Sequence, residues 1–216
     1  MAMEISREII DFLIQQNNIS VPINTDYNDK IKILQNAGLL MKNEEYYIDG
    51  SGPNPNINNT AILLKSFLKD GNYTVSGIGM PTCSFVNGTD WTGKVKISST
   101  FRCDDPTQPF LQKNLIMETL TEDPATVRIT VFTFNINQKS IVINNLGTST
   151  KGIFFINNNL KMIVSVEGYS EPLGKNGKLI YRFELIPAGF FMILYYLDSN
   201  NIYQQFITRR FILQSD

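Results

Sequence analysis

The stretch KLIYRFELIPAGFFMILYYLDSNNIYQQFITRRFI, residues 178–212, decides the fold of this chain. It consists of runs rich in apolar, β-branched and aromatic residues, separated by short links such as Ser199-Asn200-Asn201. Such runs are typical of strands, and asparagine in a short link tolerates the positive φ of a tight hairpin. The same pattern reaches back to Lys113, so the sequence predicts an antiparallel meander.

Short apolar runs, each followed by Asn, Gly, Asp or Pro, recur through the second half of the chain. So many strands with short links exceed what an open sheet holds comfortably, and closure removes exposed strand edges. We therefore predict an α+β fold that is mainly β, with an antiparallel β-barrel or a strongly bent two-sheet sandwich. A hairpin turn is predicted at Lys175-Asn176-Gly177. The predicted strands span residues 94–102, 114–122, 127–135, 140–144, 152–156, 160–167, 178–186, 190–197 and 202–212.

The amino-terminal part of the chain has helical periodicity instead. Ile5, Ile9 and Leu13 fall on one stripe, which is typical of an amphipathic helix. We predict two parts, namely an N-terminal helical segment over 1–86 that packs on the barrel, and the barrel itself over 87–216. The elements predicted in the first part are helices at 3–17, 29–41 (capped by Asn28) and 59–70, a short strand at 45–48 and a break at 51–56.

The charge balance and the apolar runs exclude two classes of partner. Lys and Arg total 19 and Asp and Glu total 20, which gives a net charge of −1. Since neither sign forms a long run, we predict no nucleic-acid binding. The apolar run at 188–197 is shorter than the roughly 20 residues of a membrane-spanning helix, so we predict no membrane span. The first residues show no basic region before a cleavage site, which predicts a cytoplasmic protein.

The chain contains no histidine, and this limits its chemistry. The usual general base at neutral pH, the Ser-His and Cys-His nucleophile pairs and the commonest transition-metal ligand are all removed. Cys83 and Cys103 are too few for a zinc site, and we expect free thiols in a cytoplasmic protein. The acids at 104–105 and 122–123 fit turns before proline better than a calcium or magnesium site. We predict neither a metal nor a cofactor.

The strand faces indicate where the core lies. Residues 190–197 are apolar on both faces, so the amino-terminal helices are predicted to cover the outside of this strand. In residues 178–186, alternation puts Tyr181 on one face and Arg182 and Glu184 on the other. The aromatic residues, 14 Phe and 9 Tyr, fit either a solid core or a lined small-molecule pocket.

Two phrases of the sequence resemble a known family. IFFINNNLKMIVSV, residues 153–166, is followed by Gly168-Tyr169-Ser170. It is similar to a run in the S-type phycobiliprotein chromophore lyases, which have aromatic-Phe, Asn, then Asn-Leu-Arg, and Gly-Phe-Ser. LIMETLTEDPATV, residues 115–127, resembles their Ile-Glu-x-Leu and Asp-Pro stretch. These lyases are members of the calycin (lipocalin-like) superfamily.

The chain also departs from that family. The region between residues 127 and 154 is shorter than in the family, and the chain continues past the family's end. Lys161 stands where the family has Arg, and Val95 stands where it has Trp. Lipocalins pack the tryptophan of a Gly-x-Trp motif against an arginine of the last strand. This chain offers Gly88-Thr89-Asp90-Trp91, in which the spacing is one residue longer, and Arg209-Arg210.

The calycin resemblance implies a lipocalin-like barrel that binds an extended hydrophobic or amphipathic molecule. A carboxyl group in an apolar barrel has a raised pKa and can exchange protons near neutrality. Glu118, which matches the family's Glu, and Glu184 are therefore the candidate catalytic residues. An outward ion pair of Arg182 with Glu184, and an outer position for Glu118, are open alternatives. The candidate ligand-binding residues are Trp91, Lys161, Tyr181, Arg182, Tyr195, Tyr203 and Arg209.

Three functions stay open at this point. The first is a carrier of a hydrophobic small molecule or a chromophore-handling lyase. The second is a cyclase or isomerase of specialised metabolism that acts by confinement and acid-base groups. The third is a solidly packed interaction protein without a ligand. A homodimer is an open alternative to a monomer in all three.

Overall fold

A computed structural model of the chain describes residues 2–48, 68–79, 90–102, 110–119, 128–135, 140–145, 147–156, 161–170 and 172–215. For 2–4, 77–79, 90–102, 110–119, 128–130, 135, 145 and 161, only the backbone is described. None of the helices in these ranges is long and apolar enough to cross a membrane. The elements are β1 (Ala2–Ile5), α1 (Arg7–Gln16), α2 (Tyr27–Asn36), β2 (Glu45–Ile48), β3 (Gly71–Gly79), β4 (Asp90–Arg102), β5 (Phe110–Thr119), β6 (Arg128–Asn135), β7 (Ser140–Asn145), β8 (Thr148–Ile156), β9 (Lys161–Ser170), β10 (Lys175–Ile186), β11 (Gly189–Leu197) and β12 (Tyr203–Leu213).

The large sheet is antiparallel, and its strands pair in their order along the chain, from β3 through β12. β12 also pairs with β3, with Ile207 opposite Gly79 and Leu213 opposite Tyr73. The sheet is therefore strongly curled. β1 and β2 form a separate parallel pair. The predicted mainly β, antiparallel fold with amino-terminal helices is confirmed.

The sequence does not predict β1 or β3. β3 lies inside the range assigned to the helical segment, yet it pairs with both β12 and β4. Three glycines in its nine residues weaken the strand pattern. Residues 68–70 are not helical, and residues 59–67 of the predicted third helix lie outside the described residues. The boundary between residues 86 and 87 stays a prediction.

The turn between β9 and β10 differs from the prediction. Residues 175–177 belong to the ladder of β10 and pair with Ser170, Tyr169 and Gly168. The reversal occurs just before them, where Gly174 has a φ of 63°. The turn at Ser199-Asn200-Asn201 is confirmed, since Asn201 has a φ of 58°.

Each helix begins at a side-chain cap. Ser6 Oγ accepts a hydrogen bond of 3.3 Å from the Ile9 N–H, so α1 begins after an extended segment rather than at residue 3. Asp26, and not Asn28, caps α2 by accepting a hydrogen bond of 2.9 Å from the Asp29 N–H. A cap of this kind satisfies a backbone donor that has no partner within the helix.

The concave face of the sheet carries one hydrophobic cluster, which we call the inner cluster. Phe132 of β6 contacts Tyr181 of β10, with ring centroids 5.6 Å apart, although these strands are not neighbours. Such a contact requires the sheet to curl around it. The inner cluster consists of Leu68, Tyr73, Val75, Phe132, Phe134, Ile141, Ile143, Phe154, Ile156, Met162, Val164, Val166, Leu179, Phe183, Phe190, Met192, Leu194, Phe206, Ile207 and Phe211, with Tyr181, Leu185, Tyr196 and Leu213 partly buried against it.

The helices pack on the convex face and form the outer cluster. Phe12 of α1 is 1% exposed, and its ring centroid lies 4.9 Å from that of Tyr195 and 5.5 Å from that of Tyr203. Burying a side chain of this size stabilises the fold by roughly 1.5–3 kcal/mol. The predicted helical cover of residues 190–197 is thus confirmed. The outer cluster consists of Ile5, Ile9, Ile10, Phe12, Leu13, Ile31, Leu34, Leu40, Phe155, Ile163, Ile180, Ile193, Tyr195 and Tyr203.

Candidate functional site

Tyr181 and Arg209, which we call the polar pair, are two polar residues of the concave face. Tyr181 packs against the inner cluster from β10. Arg209 of β12 is the register partner of Met192, an inner-cluster residue of β11, and paired residues of neighbouring strands share a face. The charge of Arg209 acts on the Tyr181 phenol, so the two groups lie within electrostatic range. Of the predicted ligand-binding residues with described side chains, these two lie inside the sheet.

The polar pair is partly exposed although its neighbours along the strands are buried. Tyr181 lies between Leu179 and Phe183, which are 5% and 0% exposed, and Arg209 lies between Ile207 and Phe211, which are 7% and 0% exposed. Tyr181 and Arg209 themselves keep part of their surface accessible. Water therefore reaches part of the surface of these two side chains.

The Tyr181 phenol is a hydrogen-bond donor at neutral pH. Burial raises the pKa of Tyr181 to about 12, against a smaller lowering by the positive charge of Arg209. The phenol stays protonated, and the guanidinium presents fixed N–H donors beside it. Together they can bind an anionic or hydrogen-bond-accepting group, and their surroundings of low dielectric strengthen that bond.

Arg182 and Glu184 lie on the convex face, whereas their predicted roles place them inside the barrel. Their side chains form an ion pair, with Arg182 Nε 3.2 Å from Glu184 Oε1. The Arg182 guanidinium also lies 5.5 Å from the centroid of the Tyr195 ring, which belongs to the outer cluster. A residue on this face cannot act on a ligand inside the sheet. The outward ion pair that the sequence left open is therefore the one that forms.

Tyr195 and Tyr203 are also on the convex face, where they contact α1 rather than a ligand. Burial raises the pKa of both phenols. In Tyr203 the negative charges of Glu8 and Asp11 act in the same direction. Strand alternation turns these two tyrosines toward the helices, and their binding of a ligand stays a prediction.

The strand register gives the positions of two predicted site residues, Trp91 and Lys161, of which only the backbone is described. Trp91 pairs with Gly77, and Gly77 pairs with Arg209, so the three positions form one row across β4, β3 and β12. Lys161 pairs with Glu184, whose side chain is on the convex face. The side chains of Trp91 and Lys161 lie outside the described residues.

The register also bears on Glu118. Leu115 pairs with Phe132 of the inner cluster, whereas Glu118, three residues further along β5, pairs with Ile129. Successive positions of a strand alternate between the faces, so position 118 lies on the opposite face from position 115. This register favours the outer position that the sequence left open. The Glu118 side chain lies outside the described residues.

A cavity of about 310 Å³, which we call the mouth cavity, opens at the end of the sheet that carries the β10–β11 hairpin. The hydroxyl of Tyr73 donates a hydrogen bond of 2.7 Å to the carbonyl of Lys69 at its rim. The cavity is mostly apolar, and its size is at the lower end for small-molecule sites. The sequence does not reveal it, because three distant segments build it. Its lining is Lys69, Tyr73, Leu185–Gly189 and Leu213–Ser215.

A second cavity, of about 630 Å³, lies between the helices and the sheet and is lined by charged residues. Lys30 Nζ lies 2.8 Å from Asp11 Oδ1, and Lys178 Nζ lies 3.0 Å from Glu8 Oε1. Tyr27 donates a hydrogen bond of 2.7 Å to Asp11 Oδ2. These contacts join α1 to α2 and to β10. We therefore assign them a structural role, which is to hold the helices on the sheet.

Comparison of this chain with protein-family models and with curated proteins finds no match. The calycin resemblance therefore rests on the sequence phrases alone. Within the described ranges, no group of three or more acidic or cysteine side chains could hold a metal ion. The predicted turn acids at 104–105 and 122–123, and both Cys83 and Cys103, lie outside the described residues.

Proposed function

We propose that the protein binds an extended hydrophobic or amphipathic small molecule on the concave face of its sheet. The observation that carries this proposal is the partly exposed polar pair, Tyr181 and Arg209, among buried apolar residues. An apolar site with a few convergent polar groups is the usual form of a small-molecule site. The ligand's apolar part lies against the inner cluster, and its polar end accepts hydrogen bonds from the pair.

We also propose that the sheet is a closed, lipocalin-type barrel. Its support is the pairing of β12 with β3, which joins the last strand of the meander to its first. In such a barrel the protein acts as a carrier or handles a chromophore. Any chemistry on the ligand would use the protonated Tyr181 phenol as its donor. The cytoplasmic location and the homodimer stay predictions.

The test uses cis-parinaric acid, a fluorescent amphipath with one carboxylate, titrated into the purified protein. We expect saturable binding that Arg209→Met weakens by about tenfold or more, because a charge-assisted hydrogen bond in an apolar site is lost. Arg210→Met is the matched control, since Arg210 is the next residue of β12 and is exposed. No binding by the unmodified protein, or equal losses in both variants, would overturn the proposal.

A solidly packed interaction protein is the second candidate, and the ring contacts across the sheet favour it. Phe134 of β6 lies 6.2 Å from Phe183 of β10, and Phe132 lies 5.6 Å from Tyr181. These contacts fill part of the concave side. If the titration shows no binding while native mass spectrometry finds no retained ligand, this second function is preferred.

A further inference from the structure

The mouth cavity and the polar pair lie on the same strands and the same face of the sheet. Leu185, in the cavity lining, is four residues from Tyr181 along β10, and Leu213 is four residues from Arg209 along β12. An even spacing keeps all four side chains on the concave face. At the rise of a strand, four residues correspond to about 13 Å.

Three phenylalanine rings, which we call the partition, lie between the mouth cavity and the polar pair. Phe190 stacks on Phe211 with centroids 4.4 Å apart and an interplanar angle of 12°. Phe183 lies 5.9 Å from Phe190 on the other side. All three side chains are 0% exposed, and along β10 and β12 Phe183 and Phe211 lie between the polar pair and the residues that line the mouth cavity. Tyr73, in the cavity lining, contacts Phe190 edge-on at 5.7 Å.

We infer that the mouth cavity is the entrance for the ligand and holds its apolar end, while an acidic group of the ligand binds at Tyr181 and Arg209. This inference rests on the proposed function and adds the ligand's class, direction and length. The ligand is a single-chain amphipath with an anionic head, and its chain spans at least about 13 Å. Phe190 is the gate, because its ring contacts both the cavity lining and the other two rings of the partition.

The mouth cavity should therefore select ligands by the length of their apolar chain. Each methylene of a chain that leaves water strengthens binding by roughly fourfold. A chain long enough to pass the partition gains this increment in the mouth cavity, and a short chain does not reach it. A substitution that fills the mouth cavity should therefore weaken the binding of long-chain ligands and leave the affinity for short-chain ligands unchanged.

The experiment compares the affinities of decanoate and palmitate, each measured by displacement of cis-parinaric acid. Ala188→Phe fills the mouth cavity from the exposed hairpin turn that lines it. Ser199→Phe is the matched control, because it places the same ring in the exposed β11–β12 turn at the opposite end of the sheet. We expect Ala188→Phe to weaken palmitate binding by about tenfold or more, with decanoate binding unchanged and Ser199→Phe without effect on either.

The outcomes separate this inference from the proposed function. If the unmodified protein binds neither acid, the proposed function fails. If it binds both, and Ala188→Phe behaves like Ser199→Phe, only the entrance is disproved. As a second measurement, Phe190→Leu should raise the association and dissociation rates of palmitate together in stopped-flow experiments, because the gate is smaller. Rates equal to those of the unmodified protein would show that the Phe190 ring does not limit the entry and exit of the ligand.

Discussion

Gly189, the first residue of β11, lies against the backbone of Phe211. A Cβ atom at this position would overlap the carbonyl oxygen of Phe211. The backbones cannot move apart easily, since the Leu213 N–H donates a hydrogen bond of 2.8 Å to the Ala188 carbonyl. Glycine is thus required at position 189, because the two backbones lie too close together for a Cβ atom. Gly168 in β9 differs, because a Cβ there would meet its nearest atoms at an ordinary 3.7 Å.

These two glycines give a matched pair of substitutions. We expect Gly189→Ala to lower the free energy of unfolding by about 2–3 kcal/mol, because a backbone atom blocks the methyl group. Gly168→Ala should change it by less than about 0.5 kcal/mol. Urea denaturation followed by circular dichroism measures both. Similar effects from the two substitutions would contradict the close approach.

Phe12 is the residue that joins α1 to the sheet. Phe12→Ala removes its edge-on contacts with Tyr195 and Tyr203 and leaves a cavity, so we expect a loss of about 3–5 kcal/mol in the free energy of unfolding. Ile23 is 92% exposed, and Ile23→Ala should cost less than about 0.5 kcal/mol. Denaturant titrations of the two variants test this, and equal midpoints would show that Phe12 is not buried.

At the level of secondary structure, α1 is held by charge as well as by apolar packing. Glu8 lies beside Lys178 of β10, and their ion pair joins residues far apart in the chain. Burial alone would raise the pKa of Glu8, but the hydrogen bond and positive charge of Lys178 more than offset this, and the net pKa is lowered. The pKa of Lys178 is raised by the same hydrogen bond.

The sign of the pH dependence follows from the lowered pKa of Glu8. Its contribution to stability is present above the unfolded pKa of about 4.3 and is lost as the pH falls through the lower folded value. Glu8→Gln should therefore cost roughly 0.5 kcal/mol at about pH 7, a value kept small because both side chains are partly solvated. The cost should vanish near about pH 3. Urea titrations at the two pH values measure it, and an equal cost at both would refute the ion pair.

The strands that the sequence predicts and those it does not predict differ in composition. β10, β11 and β12 are recognised because apolar β-branched and aromatic residues fill them. The glycine-rich β3 is not, because its pairing with β12 depends on contacts distant in sequence. Lys175-Asn176-Gly177 has turn residues but pairs within the sheet.

The candidate site is harder to predict than the strands. Alternation separates Tyr181 from Arg182 in the sequence, but it does not say which face is concave. That assignment requires the helices, whose packing on Tyr195 makes the face of Arg182 the outer one. The mouth cavity needs the meeting of three chain segments, for which no local pattern exists.

For the molecule as a whole, the pairing of β3 with β12 joins strands that are far apart in the chain. Removal of residues 203–216 would leave β3 and β11 each without one neighbour and expose part of both clusters. We expect this truncated chain to lose its cooperative unfolding transition in calorimetry and to aggregate. A shortened chain that ends after residue 214 keeps all the strands and serves as the control. A sharp transition in the chain truncated at residue 202 would show that β12 is dispensable.

The packing of α1 on Tyr195 and Tyr203 also bears on biosynthesis. The ribosome makes Tyr195 and Tyr203 almost 190 residues after α1. At ordinary translation rates of about 5–20 residues per second, the delay is on the order of 10–40 s. Throughout that time Phe12 lacks these two native partners, although other residues of the outer cluster, such as Ile31 of α2 and Phe155 of β8, are made earlier. Phe12 can therefore reach its fully buried position only after β12 has been synthesised.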